Sequence, residues 1–312
     1  MPRTYQWNVA IEQSLGNGQS LSLTYIGAVG RDQLRTTNLV SPNQNFGFVN
    51  VTDNLATSNY NALQMKFQRN LSRGLQALAS YTFSHSIDIA STDAFANHLS
   101  TPISVASPNI DRGNSDFDIR HAFTAGVTYS LPTPALNQAS RVLFGGWSVD
   151  GFIFARTVPP VNVIAGQVFA DGIALYPRPD VVSRVPLVLY GSKYPGGKIL
   201  NGNAFTAPPT GQQGDSGRNV LRAFGASQAD IAFQRQFHLS ERIQLCFRGE
   251  FFNIFNHPNF GPPDNNITDA LFGYSTATLA SSLGSGGANG GLNPLYQIGG
   301  PRSTQLALKL QF

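Results

Sequence analysis

One pattern returns along the chain from Tyr5 to Phe312: apolar and polar residues alternate one by one, in stretches of about eight to thirteen residues. A period of two sends the two sets to opposite faces of an extended strand, so each stretch carries one apolar and one polar face. Tyr5, Trp7, Val9 and Ile11 alternate with Gln6, Asn8, Ala10 and Glu12, and Gly16-Asn17-Gly18 then offers the positive-φ residues of a tight hairpin. Leu21, Leu23 and Tyr25 lead back. The same unit recurs at Leu63 to Phe67, Leu75 to Phe83, Phe123 to Tyr129, Trp147 to Ile153, Ala229 to Phe233, Ile243 to Phe251 and Thr304 to Phe312. We count about nine strands, each long enough for the roughly 9–11 residues that a tilted strand needs to cross a bilayer.

The connections are lopsided. Short turns near 16–18, 70–74, 131–132 and 238–241 alternate with polar stretches at 31–58, 85–118, 157–224 and 256–300. Four structureless loops of that length count against a soluble domain, whereas outer-membrane barrels pair short periplasmic turns with long extracellular loops. Composition points the same way. Charged residues make up 12% of the chain, about half the share usual for a soluble domain. No apolar run of about 18 residues could span a bilayer as a helix. The net charge of +4 is scattered, which argues against a nucleic-acid partner. The single Cys246 makes no internal disulfide, and no residue cluster implies a cofactor.

The expected fold is therefore all-β: an antiparallel transmembrane β-barrel in the bacterial outer membrane, incomplete, because an odd number of strands cannot close with every neighbour antiparallel. Leu63, Met65, Phe67, Ile231, Phe233, Leu308 and Leu310 are expected on the outer face, with Gln64, Gln68, Asp230, Gln234 and Glu250 inside. The stretch Met1 to Trp7 lacks the basic and apolar regions of an export signal. Counting strands back from a periplasmic carboxyl terminus starts Met1 in an extracellular loop. Both features lead us to expect that an N-terminal portion, signal peptide included, precedes this piece.

Thr304 to Phe312 alternates throughout and ends on an aromatic. It resembles the terminal strand by which the barrel-assembly machinery recognises its clients, with Leu306, Leu308, Leu310 and Phe312 as the assembly signal toward lipid. Upstream, the stretch from Arg248-Gly249-Glu250-Phe251-Phe252-Asn253 to His257-Pro258-Asn259-Phe260-Gly261 resembles the signature near the end of TonB-dependent receptors. It is most similar to the Oar-like branch, whose members carry a carboxypeptidase-regulatory-like domain before the plug. Asn219-Val220-Leu221-Arg222-Ala223-Phe224-Gly225 and Phe117-Asp118-Ile119-Arg120-His121-Ala122-Phe123 resemble that branch too. The resemblance implies that residues 1–312 are the C-terminal part of such a barrel, without the plug and the first strands. It also implies energy-coupled uptake of an extracellular ligand in which the chain does not act alone. The alternative is a standalone porin-like or adhesive barrel.

Candidate sites are few. Asp150, Arg156, Asp230, Arg248 and Glu250 fall on the inward face, where a wet lumen makes charge cheap, and are candidate lumen contacts. Tyr5, Trp7, Tyr81, Phe83, Tyr129 and Trp147 suit the aromatic girdles of a membrane barrel better than sugar stacking. Gly214-Asp215-Ser216-Gly217 matches the residues around a serine-protease nucleophile, but Arg218 follows and no histidine-bearing partner stretch lies upstream, so a loop turn is the better reading. His85, Asp88, Asp93 and His98 share one loop without the spacing of a dedicated metal site. No nucleophile, base and orienter stand together, and we expect no enzyme.

Overall fold

The protein is described by a computed structural model covering residues 1–16, 18–91, 108–132, 145–170, 173–209, 212–240, 242–282 and 298–312. Nine long strands form one antiparallel wall in sequential order. They are β1 (Arg3–Gly16), β2 (Gln19–Asn43), β3 (Phe46–Ser72), β4 (Leu75–Asp88) and β5 (His121–Ser130), then β6 (Trp147–Arg156), β7 (Ala226–His238), β8 (Gln244–Phe252) and β9 (Ser303–Gln311). A two-residue strand, Gly113–Asn114, adds to the upper end of β4. Among the described residues β1 pairs only with β2 and β9 only with β8, so the wall is open at both edges.

The register separates the two sets of side chains. Val9, Tyr25, Leu63, Phe83 and His121 stand in one row across five strands. Tyr129, Val149, Phe233, Gly249 and Leu306 form a lower row on the same face. Thr128, Asp150, Ala232, Glu250 and Gln305 form a row on the other face, and Thr24, Gln64 and Thr82 share it. A slip of one residue would exchange the faces, so burial against lipid fixes the pairing. The aromatics fall at two levels of the apolar face: Tyr5, Trp7, Tyr81 and Phe83 toward the long connections, Tyr129 and Trp147 toward the short turns. Several residues break the alternation. Phe152 and Phe154 lie on the polar face beside Asp230 and Gln228, and Arg69 and Arg235 lie on the apolar one. Arg235 stands near the turn end, where its guanidinium covers the rings of Trp147 at 5.6 Å and Phe237 at 4.4 Å and can reach the interface.

The long connections differ from the expected structureless loops. Residues 31–58 are not a loop: β2 and β3 continue as a paired ribbon to Asn43 and Phe46, with register shifts near Gly30, Gln33 and Val40. Alternation fades there because the ribbon stands above the bilayer and its inner side chains, buried Arg35 and Thr37 among them, meet polar neighbours instead of lipid, while its backbone groups still pair with each other. The described residues of 157–224 hold four small strand pairs, including Pro160–Val161 with Leu221–Arg222 and Asp180–Val181 with Phe205–Thr206. They enclose a core of Val161, Val163, Leu200, Ala204, Phe205, Leu221, Ala223 and Phe224, completed by Phe272 from the final connection. The apolar residues of these loops have no period because they serve irregular packing, so strand patterning missed them.

Candidate functional site

On the polar face the strands bring three of the five expected residues together. Arg248 on β8 donates from Nη1 to Asp150 on β6 at 2.6 Å and to Gln234 on β7 at 2.9 Å, and from Nε to Glu250 at 2.8 Å. Thr128 Oγ1 donates to the second oxygen of Asp150 at 2.9 Å. This is a solvated cluster with one cation between two carboxylates, and its remaining acceptor capacity can serve a hydrogen-bonding partner. Asp230 lies higher and is used locally, accepting from Gln228 Nε2 and from the Asn253 N–H at 2.8 Å. Arg156 stands apart at the upper end of β6, its guanidinium 5.5 Å from the Phe154 ring.

On the neighbouring edge strand, Leu306, Leu308 and Leu310 of β9 follow the apolar face opposite Gly249, Phe247 and Leu245. They are 68%, 68% and 53% exposed, and Phe312 98%, so nothing among the described residues covers that stripe.

A second cluster, absent from the sequence reading, lies at the end of the wall toward the long connections. Arg218 is 1% exposed. Its Nε donates to the Asp111 carbonyl at 2.9 Å, Nη1 reaches Asp116 at 3.3 Å, and Nη2 engages the carbonyl and carboxylate of Asp88. Arg178 donates to Asp111 at 2.8 Å and to the Ser216 carbonyl at 2.8 Å. Buried Arg35, on the β2–β3 ribbon, pairs at longer range with Asp53 at 3.5 Å and Asp111 at 3.8 Å. Arg222 and Arg120 both bind the Asp118 carboxylate, Arg120 at 2.8 Å. Five arginines thus meet five aspartates across segments up to 130 residues apart. Asp118 titrates below the usual carboxylate range. Burial, the strongest single influence, pushes it up, and the Ser86 N–H, Arg222 and Arg120 together outweigh that.

The three motif stretches meet in this rim. Arg222 and Asn219 come from one, and Asp118 and Arg120 from the second; Asn219 Nδ2 donates to the Asn114 carbonyl at 2.8 Å. In the third, Asn253 adopts φ +48° and its amide donates to the carbonyls of His257 at 2.9 Å and Gly300 at 3.0 Å, stitching the last connection to β7 and β8. The protease-like stretch is a packing turn. Ser216 is buried, with its N–H on the Pro179 carbonyl, and Asp215 accepts from the Val181 N–H at 2.7 Å. Of the loop histidines and acids, Asp88 is engaged by Arg218 and His85 lies 3.2 Å from Asn114, while Asp93 and His98 lie outside the described residues. Among the described residues no group of three or more His, Cys, Asp or Glu is arranged to hold a metal ion.

The signal for the clamp was present but indirect: arginine far outnumbers lysine, and Arg178, Arg218 and Arg222 sit in a Gly- and Pro-rich stretch where bare solvation would suit lysine equally. No curated protein matches the chain. The profile of the outer membrane beta barrel domain family matches residues 1–283, over strands whose apolar and polar faces are separated by register. The chain belongs to the outer membrane β-barrel domain family and takes its place in the bacterial outer membrane.

Proposed function

We propose that this barrel wall is part of a TonB-dependent receptor that takes up an extracellular ligand by energy-coupled transport, through binding and gating with no bond made or broken. The observation that carries the proposal is the pair of open edges. An edge in hydrocarbon leaves backbone N–H and C=O groups unpaired at several kcal/mol each, so β1 and β9 call for further strands beside them. A wall extended in that way encloses a lumen wide enough to need a plug, as in barrels of about 22 strands. The cluster of Arg248, Asp150 and Glu250 then faces the plug or the passing ligand. The three rim stretches that resemble the Oar-like branch add support. Leu306, Leu308, Leu310 and Phe312 present the stripe that the barrel-assembly machinery would engage.

Planar-bilayer recording on the purified chain tests this. A wall that needs partner strands and a plug gives no steady, reproducible conductance alone. Discrete single-channel steps would overturn the proposal in favour of a small standalone pore.

A further inference from the structure

The apolar face is not flat. Toward the long connections it carries a crevice of about 680 Å³. Its floor is Tyr81, His121, Phe123, Ala155 and Ser227, which the register places together on the face turned to lipid. Its roof is formed by loop residues, chiefly Lys198, Phe224, His257 and Phe260. The roof is built tightly: Gly196 has φ +67°, and a Cβ there would run into the rings of Phe224 and Phe260, which are tilted to each other with centroids 4.9 Å apart.

We propose that this crevice binds an outer-leaflet lipid by a phosphorylated headgroup, with the acyl chains lying down β4 to β7. Charge complementarity selects that occupant. Among the described residues no aspartate or glutamate lines the crevice, while Lys198, His121 and His257 do. Lys198 Nζ donates to the Arg222 carbonyl at 3.3 Å and lies 5.3 Å from the Phe224 ring centroid, with no carboxylate in ion-pair range among the described residues. Burial holds its ammonium below the ordinary lysine range, a cost that an arriving phosphate offsets. Depth agrees. Tyr81 stands seven residues up β4 from the Gly74 turn, about 16 Å along the membrane normal for 3.3 Å per residue and a tilt near 45°. That is the upper part of an apolar band about 25 Å tall. The floor is thus at acyl depth and the roof at headgroup depth. The binding rests on the barrel's place in the outer membrane and is independent of transport.

Native mass spectrometry of the full chain in detergent micelles tests it, with dioleoyl phosphatidic acid, dioleoylglycerol and inorganic phosphate as separate probes and heat-modifiable gel mobility as the check on folding. Phosphatidic acid should bind at one site at least fivefold more tightly than either other probe. Lys198→Gln should weaken it about fivefold or more, Lys198→Arg should restore it, and exposed Lys193→Gln should leave it unchanged. If Lys198→Gln fails to fold, Ala155→Trp, which fills the floor, should abolish the same adduct. Equal binding of dioleoylglycerol would reduce the crevice to a greasy groove, and equal binding of inorganic phosphate would make it a free-anion site. Either outcome, or an indifferent Lys198→Gln or Ala155→Trp, overturns the proposal.

Discussion

Replacing Arg218 by Met should loosen the rim while leaving the wall intact. The guanidinium is 1% exposed and serves the Asp88 carbonyl and carboxylate, the Asp111 carbonyl and Asp116 at once. Met fills a similar volume but supplies no donor, so Asp88, itself 6% exposed, keeps a charge with its main partner gone. Breaking a buried pair from one side costs about 3–5 kcal/mol. That raises local opening roughly a hundred- to a few-thousandfold, at 1.4 kcal/mol per factor of ten. The cost falls on segments that Arg218 holds against β4. The amides of Ile89 and Ser115, which bond to Thr57 and Ser86, report it directly by hydrogen exchange. The amides of Cys246 and Lys309, opposite each other in the β8–β9 ladder, should exchange as before. Arg248→Met is the control: its side chain is 34% exposed in a solvated cluster, where removing an ion pair costs about 1 kcal/mol or less. Asp88→Asn added to Arg218→Met should recover part of the loss, since it removes the stranded charge. Protection of Ile89 and Ser115 within threefold of wild type, or equal loosening of Lys309, would refute the argument that the rim is held by this arginine–aspartate cluster as a unit separate from the wall.

Two further outcomes follow. Because Asp118 titrates below its unfolded value of about 3.9, its contribution is fully present above that pH and is lost as pH falls through the lower folded value; rim protection should hold from pH 8 to 5 and fall only below about 4, and a loss centred near pH 6 would point to histidine instead. Phe312→Ser together with Leu310→Ser should lower the yield of heat-modifiable barrel in outer membranes far more than Gln311→Ser, since only the first two continue the apolar stripe; equal yields would remove the assembly role.

The wall was legible in the sequence because a single physical rule governs it. Leu63, Met65 and Phe67 announce their face by spacing alone, and Asp230, Gln234 and Glu250 theirs, since lipid on one side and water on the other act on every residue. The rule stops where the lipid stops. Thr36, Val51 and Val49 on the β2–β3 ribbon still pair across the strands between its register shifts, but no contrast of lipid against water marks their faces. The rim was less legible still. Arg218 and Asp88 lie 130 residues apart and meet only because β4 and the segment before β7 end at the same rim. Phe272 completes a core whose other members come from 161–224, a meeting no local pattern encodes.

The two parts therefore answer to different physics. In the wall, stability comes from ladder hydrogen bonds that have no competitor in hydrocarbon, and single side-chain changes on the polar face act on a wet surface. In the rim, water competes, and order depends on a few desolvated ion pairs whose members must all be present. A change in the sequence between 157 and 224 can thus reshape what the rim presents to the outside without shifting the register that positions Asp150, Arg248 and Glu250. The constraint on such change is charge. Arg178, Arg218 and Arg222 come from that stretch, and each needs an aspartate from 88–118. Rim variants that keep those three arginines should tolerate rearrangement elsewhere in the loop, and the most costly single change is at Arg218, since Asp118 keeps Arg120 when Arg222 is lost and Asp111 keeps Arg35 within 3.8 Å when Arg178 is lost.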